Sequence, residues 1–325
     1  MERDMKVLVT GAAGFIGYHV CERLLARGDT VIGVDNLDVS GDVTLKATRL
    51  SRLRSAPNFG FHRMDIRDAR ACRELFTGAR PERVVHLAAR VGVRAEPVDS
   101  QDYAETNVSG FLQVLESCRR TGVGHLVFAS SSSVYGADTP VPFSEQAAAT
   151  HPLNLYAATK RADELLAHAY SYQYGLPITG LRLFSVYGPW GRPDMAPMLF
   201  LRAMLEGRPL VLHGEGKPQR DFTYVDDVVE ALMRVLDAPP TGGVPRSRVL
   251  NVGRGVPVAV ARLVDLLEEL LGSKAWVELQ AAPPGEMHVT CADVTALEHV
   301  TGFRPSIPLE QGLTRLVAWY RGHEG

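Results

Sequence analysis

The chain has 325 residues, 46% of them hydrophobic and 22% charged, with a formal net charge of −2. That is ample for a buried core, as one large α/β unit or as two intertwined domains, and the near-neutral balance gives no electrostatic ground for nucleic acid or a membrane surface as a partner. No apolar run approaches the ~20 residues of a membrane span. Cys21, Cys72, Cys118 and Cys291 are far apart with no C-x-x-C pair. Buried free thiols in a reducing compartment are expected, with neither a metal site nor a disulfide framework. The polar start, Met-Glu-Arg-Asp-Met-Lys-Val, passes into a strand and does not read as a signal peptide, so a cytoplasmic location is expected.

Lys6–Thr10 is short and β-branched, and reads as a buried strand. Gly11-Ala12-Ala13-Gly14-Phe15-Ile16-Gly17 follows at once, then helical spacing over Phe15–Arg27 with Gly28 as the stop. Strand, glycine turn and helix in that order aim backbone N–H groups and a helix N-terminus at a pyrophosphate. The spacing is G-x-x-G-x-x-G, and an ordinary tight turn is the bland alternative; the flanking strand and helix weigh against it. Gly11, Gly14, Phe15, Ile16 and Gly17 are therefore candidate cofactor contacts. Thr30–Val34 is the second strand, ended by Asp35, 18 residues after Gly17. A carboxylate there accepts both ribose hydroxyls of an adenosine and repels a 2′-phosphate, which favours NAD over NADP. No arginine follows directly, and Asn36 adjoins the same site.

Asp42–Ser55 has the pattern of a surface helix with a basic outer face. Phe59–Met64 is a third strand, and Asp65-Ile66 end it where an adenine edge would lie. Arg83–Leu87 is a fourth strand running into Ala88-Ala89; small residues there let a cofactor lie against the backbone beside Leu87, Ala88 and Ala89. Arg90 and Arg94 follow in a loop, with Arg94 a candidate substrate contact. Ala104–Cys118 is a helix with polar Asn107 in its first turns, either bridging buried backbone near the cofactor or exposed. His125–Ala129 is the fifth strand, and Ser130-Ser131-Ser132-Ser133-Val134-Tyr135-Gly136 sits at its carboxyl end, the edge at which open parallel sheets bind ligands.

Leu155–Tyr174 is the next helix, and Ile178–Leu183 the sixth strand. Phe184–Met195 holds two prolines, two glycines and a tryptophan, which makes it a shaped loop. Met198–Glu206 is a helix and Pro209–His213 a short strand. Arg220–Asp227 leads into a helix over Val228–Leu236 with Asp226 or Asp227 as its cap. Val249–Val252 is a short strand, and Ala259–Leu271 and Glu310–Tyr320 are helices. The alternation up to residue 183 gives an α/β, Rossmann-type doubly wound parallel sheet. The later half alternates less and forms a smaller mixed α/β substrate-binding domain. The expected boundaries are 1–183 with 222–253 for the cofactor domain, and 184–221 with 254–325 for the other.

Tyr156 and Lys160 stand four apart on the helix, so their Cβ atoms lie about 5–6 Å apart on one face. A free tyrosine titrates near ~10 and is a poor base at neutral pH. An ammonium beside it favours the phenolate, and a bound nicotinamide cation favours it further. The pair suits oxidation of an alcohol while hydride leaves for a cofactor. A surface lysine on an amphipathic helix is the bland alternative, and the motif's weight comes from what flanks it.

With the glycine turn, Asp35, the serine run, Tyr156 and Lys160 in that order, essentially the whole chain resembles the extended short-chain dehydrogenase/reductase family. Within it, Phe-Ser-Val-Tyr-Gly-Pro-Trp-Gly-Arg-Pro-Asp-Met-Ala at 184–196 looks most like the UDP-glucuronate 4-epimerases. Arg220-Asp221-Phe222 resembles the family's nucleotide-sugar pyrophosphate motif, and Val211 to His213 the segment that borders the uracil. The resemblance implies tightly bound NAD, a UDP-hexuronate substrate, and a homodimer through the helices at 104–118 and 155–174. It also implies the roles. Tyr156 takes the proton from the sugar 4-hydroxyl, Lys160 holds the nicotinamide ribose, and Ser131 hydrogen-bonds the same sugar oxygen. The 4-keto sugar then rotates and is reduced on its other face, turning UDP-glucuronate into UDP-galacturonate.

Two neighbouring chemistries are weighed against this. Family dehydratases carry an Asp-Glu pair before the Val-Tyr matching Val134-Tyr135, where this chain has Ser132-Ser133. A 4-keto-glucuronate is a β-keto acid and loses CO2 when its carboxylate bond aligns with the ketone π system. An epimerase must hold the carboxylate away from that alignment. Ser132, Ser133, Ser185 and Arg192, on the loop that ends at Met195, are donors able to do so, with Ser185 where these epimerases more often have threonine. Pro283-Pro284-Gly285-Glu286 stands where galactose-type epimerases carry arginine and aspartate; Glu286 can accept from a uridine ribose, but the second pyrophosphate cation is missing there. UDP-glucuronate decarboxylation and 4-epimerisation of a neutral UDP-hexose remain the alternatives. A cofactor-binding regulator without turnover would show a broken Ser/Tyr/Lys set, and all three residues are present.

Overall fold

The computed structural model describes residues 4–38, 42–92, 100–282 and 287–323. In chain order its strands are β1 (Lys6–Thr10), β2 (Thr30–Asp35), β3 (Phe59–Arg63), β4 (Arg83–His86), β5 (His125–Ser131), β6 (Ile178–Leu183), β7 (Ser185–Tyr187), β8 (Leu210–His213), β9 (Gln219–Tyr224), β10 (Ser247–Val252), β11 (Pro257–Ala259) and β12 (Val277–Gln280). The helices are α1 (Phe15–Arg27), α2 (Val43–Leu53), α3 (Ala69–Ala79), α4 (Ser100–Tyr103), α5 (Gly110–Thr121), α6 (Leu155–Tyr174), α7 (Ala196–Leu205), α8 (Val225–Asp237), α9 (Val260–Leu271), α10 (Thr295–Thr301) and α11 (Leu309–His323).

The chain divides into two compact units. The first comprises Met1–Val134, Pro152–Arg182 and Val229–Leu250. Its sheet runs in the order β10-β6-β5-β4-β1-β2-β3, with β1 to β5 pairing in parallel. Val7, Leu8 and Val9, Val84 and Val85, and Leu126 and Val127 are fully buried. Such unbroken apolar strands belong to a sheet covered on both faces, which is why they read as runs rather than alternations. Phe76 of α3 and Phe111, Val114 and Leu115 of α5 pack over it, in one core cluster with Phe128 of β5. Strand order reverses between β1 and β4, which opens a crevice at the carboxyl ends of the strands.

The second unit comprises Tyr135–His151, Leu183–Val228 and Asn251–Gly325, with a three-stranded sheet β11-β9-β7 and the pair β12-β8. Asp221, wholly buried, organises it: its carboxylate accepts from the N–H groups of Arg254, Gly255 and Ala292 at 2.8, 2.9 and 2.9 Å.

Several elements depart from the sequence pattern. The helix α3 escapes it because only Cys72 and Phe76 are buried on an otherwise charged segment, with Asp68 as its cap. The helix expected over 104–118 is broken: α4 passes into a π-helical stretch, Ala104–Ser109, before α5. The three-residue strands β7 and β11 pair with β9, which stands where the pattern gave only a lead into a helix. α8 begins at Val225, and Asp227 accepts from the N–H groups of Ser306 and Ile307, both at 2.8 Å.

Two histidines are sealed into the first unit as neutral rings. His125 lies between the Leu236 carbonyl at 3.2 Å and Thr179 Oγ1 at 2.9 Å, and His86 meets Thr10 Oγ1 at 2.8 Å. Burial pushes the His86 imidazole down to about 3, with Lys160 adding to the shift, and His125 down to about 4. The unfolded chain binds a proton on each ring below pH ~6.5, while the folded chain refuses it. Stability is thus fully present above that pH and falls below it, by up to about 1.4 kcal/mol per pH unit for each ring. The melting temperature should fall steadily between about pH 6.5 and 4.5, and His125→Gln, which keeps a hydrogen-bonding side chain without the charge change, should make that decline shallower. An unchanged slope in thermal melts would show that the ring is not what titrates.

Candidate active site

The glycine turn is obligatory. Gly11 has φ +72, and a Cβ on it would lie 2.8 Å from the Ala88 nitrogen; one on Gly17 would lie 2.0 Å from the Gly11 oxygen. The turn closes so that no side chain caps α1 at Gly14. The first N–H groups of α1, at Phe15, Ile16 and Gly17, carry the positive end of the helix dipole. That is a cradle for a phosphate, open because no side-chain atom fits there.

Asp35, 7% exposed, closes β2. Its Oδ2 accepts from the Ala13 N–H at 3.1 Å and its Oδ1 from the Leu37 N–H at 2.8 Å, which ties the glycine turn to the ribose position. An ionised carboxylate has about four acceptor sites, so capacity remains for ribose hydroxyls. Lys46 Nζ stands 3.5 Å from Oδ1, and Arg49 donates to the Ala13 carbonyl at 3.1 Å. The basic outer face expected on α2 holds at Arg52 and Arg54, which are exposed, but not at Arg49, which is 4% exposed and faces inward under the turn. Asn36 donates to Asp65 at 3.1 Å. Burial would raise the Asp65 carboxyl, but Arg67 outweighs it and holds the group below its usual range. The Ile66 side chain is buried in the core cluster, so only its backbone is left for a ligand.

At β4, Thr10 gathers the next contacts. Its hydroxyl accepts from the N–H groups of Leu87 and Ala88, each at 3.2 Å, and meets His86 Nδ1. Ala89 follows Ala88 at this edge. Asn107, in the π-helical stretch and 1% exposed, resolves the choice the sequence left open: it bridges buried backbone. It accepts from the Arg90 N–H at 2.7 Å and donates to the Arg90 carbonyl at 3.0 Å and to Thr159 Oγ1 at 2.9 Å. Thr159 in turn donates to the Tyr156 carbonyl at 2.8 Å. Asn107 thus acts by fixing the backbone around the site.

Tyr156 lies in the first turn of α6, whose cap, Asn154, accepts from the Ala157 N–H at 2.8 Å. The helix N-terminus beside it carries the positive end of the helix dipole. Lys160, 2% exposed, is one turn on, and its Nζ is 3.3 Å from Asp163 Oδ2. Ser131, the last residue of β5, accepts from the Ser133 hydroxyl at 2.8 Å and the Ser133 N–H at 3.2 Å, and keeps its own proton to donate. Ser133, expected as a donor to a carboxylate, commits its proton to Ser131; Ser132 stands between them in a 3-10 turn. The carboxyl ends of the first unit's strands therefore carry the glycine turn, Asp35, Leu87 to Ala89 and Ser131, while α6 carries Tyr156 and Lys160, the lysine close enough to His86 of β4 to act on its ring.

The second unit holds the other candidates. Ser185 opens β7, Val211 and His213 lie on β8, and Arg220 on β9. His213 Nδ1 is 3.3 Å from the Ala281 carbonyl, and Arg220 donates to the carbonyls of Gln219 and Met287 at 2.9 and 2.8 Å. The 184–195 loop is held by Trp190, at φ +60, whose ring packs on Trp319 and His323 with centroids 5.1 and 4.9 Å apart. Arg192 forms a two-pronged pair with Asp194, its Nε at 3.0 Å from Oδ1. Asp194 thus takes two of the five donors of the guanidinium expected to restrain a substrate carboxylate, and competes with that role. Met195 precedes α7 as its cap residue. Arg94 and Glu286 lie outside the described residues. Thr10, Arg49, His86 and Asp163 went unnoticed in the sequence; only Asp163, i+3 from Lys160, left a signal there.

Residues 7–253 match the NAD dependent epimerase/dehydratase family. The chain is 41% identical over 313 residues to a UDP-glucuronate 4-epimerase of Thermodesulfobacterium geofontis, covering 96% of this chain and 95% of that one. It is 40% identical over 330 residues to a probable UDP-glucuronate 4-epimerase of Rhizobium meliloti, covering 97% of each. Among solved structures, the Bacillus cereus UDP-glucuronic acid 4-epimerase in complex with UDP-glucuronic acid and NAD superposes with a TM-score of 0.90 at 34% identity, over 98% of this chain and 99% of that one. The coverage, the parallel sheet and the glycine cradle agree, and the chain belongs to the NAD-dependent epimerase/dehydratase family.

Proposed function

We propose that the chain is a UDP-glucuronate 4-epimerase that forms UDP-galacturonate through a transient 4-keto sugar. The observation that carries this is the Tyr156–Lys160 stripe on α6, with Ser131 holding an undonated proton at the adjoining strand end. The family uses NAD, and the cradle at Gly11–Gly17 and Asp35 fits a dinucleotide. NAD supplies a hydride acceptor that later returns the same hydride.

Tyr156 Oη takes the proton of the sugar 4-hydroxyl, and Ser131 donates to that oxygen as it becomes a ketone. Lys160 keeps the phenolate favoured through the first half of the cycle. After the sugar presents its other face, Tyr156 returns the proton and the 4-hydroxyl is restored with inverted configuration. Ser132 and Ser185 are assigned to the sugar carboxylate, which they hold out of line with the ketone. The nucleotide is assigned to Val211, His213 and Arg220, with Arg94 and Glu286 retained as contacts by resemblance alone. In this reading the first unit binds NAD and the second the nucleotide sugar. The exposed Leu165, Tyr172 and Tyr174 on α6 support a homodimer through that helix. No helix among the described residues is long and apolar enough to cross a membrane, and the cytoplasm is the site of action assigned in this reading.

Incubation with UDP-glucuronate and a panel of neutral UDP-hexoses, with products read by NMR, tests the substrate. UDP-galacturonate is the expected product; CO2 as the main product, or turnover of neutral sugars alone, would overturn the assignment. Tyr156→Phe should lower kcat at least ~100-fold, the low end of what general acid–base catalysis contributes. Asp35→Ala should weaken NAD binding measured by calorimetry, and a preference for NADP in the unaltered protein would contradict the role given to it.

Loss of one hydrogen bond to a charged group costs about 1.5–3 kcal/mol, a roughly tenfold to hundredfold change in the balance of held and free carboxylate. Ser185→Ala should therefore release CO2 and a 4-keto-pentose nucleotide. Arg192→Ala, whose guanidinium is engaged by Asp194, should not. Labelled CO2 trapping separates the two; CO2 from the arginine variant alone would reverse the assignment.

A further inference from the structure

We propose that Asp163 is a positioning residue acting through Lys160: it holds the ammonium in place and its charge raises the pH at which Tyr156 becomes able to accept a proton. The inference rests on the assignment of Tyr156 and Lys160 to proton transfer. Asp163 is 0% exposed and Lys160 2%, with Nζ 3.3 Å from Oδ2. The other carboxylate oxygen, Oδ1, is buried with no hydrogen-bond partner among the described residues. A half-satisfied buried carboxylate is costly, so a residue that merely filled space here would be apolar. Burial pushes the Asp163 carboxyl up to about 6, against the pull of Lys160.

Tyr156, Lys160 and Asp163 are spaced four and three apart, on one stripe of α6. Seven residues of helix rise about 10.5 Å. At an effective dielectric of ~20, two like charges ~10 Å apart repel by an amount equal to about one pH unit, which sets the size of effect the test looks for. Lys160 stands between the two on this stripe, and its charge acts in the opposite sense to that of Asp163.

Among the described residues, the other charged groups around this part of α6 have partners of opposite sign. Glu164 is held by Arg182 of β6, twice at 2.8 Å, with Ser130 of β5 at 2.6 Å and Arg161 at 2.8 Å. His86 of β4 is neutral. Asp102 and Glu105, near the π-helical stretch, lie against Arg67, and Asp102 also against Arg90. Glu116 of α5 pairs with Arg119 and Arg120.

The test is the acid limb of kcat/KM for UDP-glucuronate, beside an ultraviolet difference titration of the NAD-loaded protein against its Tyr156→Phe variant, which reads the phenolate without turnover. Asp163→Asn keeps volume and an acceptor for Nζ but removes the charge; both midpoints should move toward acid by about one pH unit. Asp163→Glu should bring them back. A variant that slows the enzyme evenly while both midpoints stay put has a structural role only, and overturns the proposal. Should the asparagine variant not fold, Asp163→Ser is read the same way in the difference titration. A Tyr156→Phe enzyme that still turns over, with no titrating signal lost, would sink the site assignment itself, an outcome distinct from an unmoved midpoint beside an essential tyrosine.

Discussion

The site depends on an ammonium taken out of water. Lys160 is buried beside a carboxylate, one helical turn from Tyr156, and a charge in that position is stable only with a fixed partner. The helix that carries it is itself fixed from three sides. Glu164 locks it to β5 and β6 through Ser130 and Arg182. Thr159 meets Asn107 from the π-helical stretch. Asn154 caps the end at which Tyr156 sits. A base made from a tyrosine works only while its cation stays within one turn, so rigidity along this helix is part of the chemistry.

The cofactor side is built on the same plan, with buried polar groups holding backbone where side chains are excluded. Asp35 and Arg49 grip Ala13 from its N–H and its carbonyl, and Thr10 grips Leu87 and Ala88. The N–H groups of Gly11 to Gly14 are thus all spent inside the protein, and it is the first N–H groups of α1, at Phe15 to Gly17, that are left to face a pyrophosphate. In the second unit Asp221 does comparable work, gathering N–H groups from positions 254, 255 and 292 onto one carboxylate.

What the sequence discloses is local. The strand, glycine turn and helix, the aspartate at the end of β2, and the Tyr-x-x-x-Lys pair lie within single elements, so spacing alone reveals them. What it conceals depends on residues far apart in the chain. Thr10 meets His86 across 76 positions, and Asp221 meets Ala292 across 71. Arg49 looks like any basic residue on an amphipathic helix until the turn it supports is seen above it. The three-residue strands β7 and β11 lack a pattern of their own and exist because β9 lies between them. Arg192 shows a different limit: its partner Asp194 is two residues away and plain in the sequence, but spacing does not say whether a guanidinium turns to its neighbour or to a ligand. Ser133 is alike, a hydroxyl whose proton goes to Ser131.

The central claim is that one tyrosine moves a proton while the hydrogen on the sugar's C4 leaves and returns within a single binding event. The most direct measurement is turnover of UDP-glucuronate carrying deuterium at C4, in ordinary water, with the product examined by NMR and mass spectrometry. The account predicts UDP-galacturonate with the deuterium still on C4 of the same molecule. Loss of the label to solvent, or its transfer to unlabelled sugar present in the same tube, would contradict it.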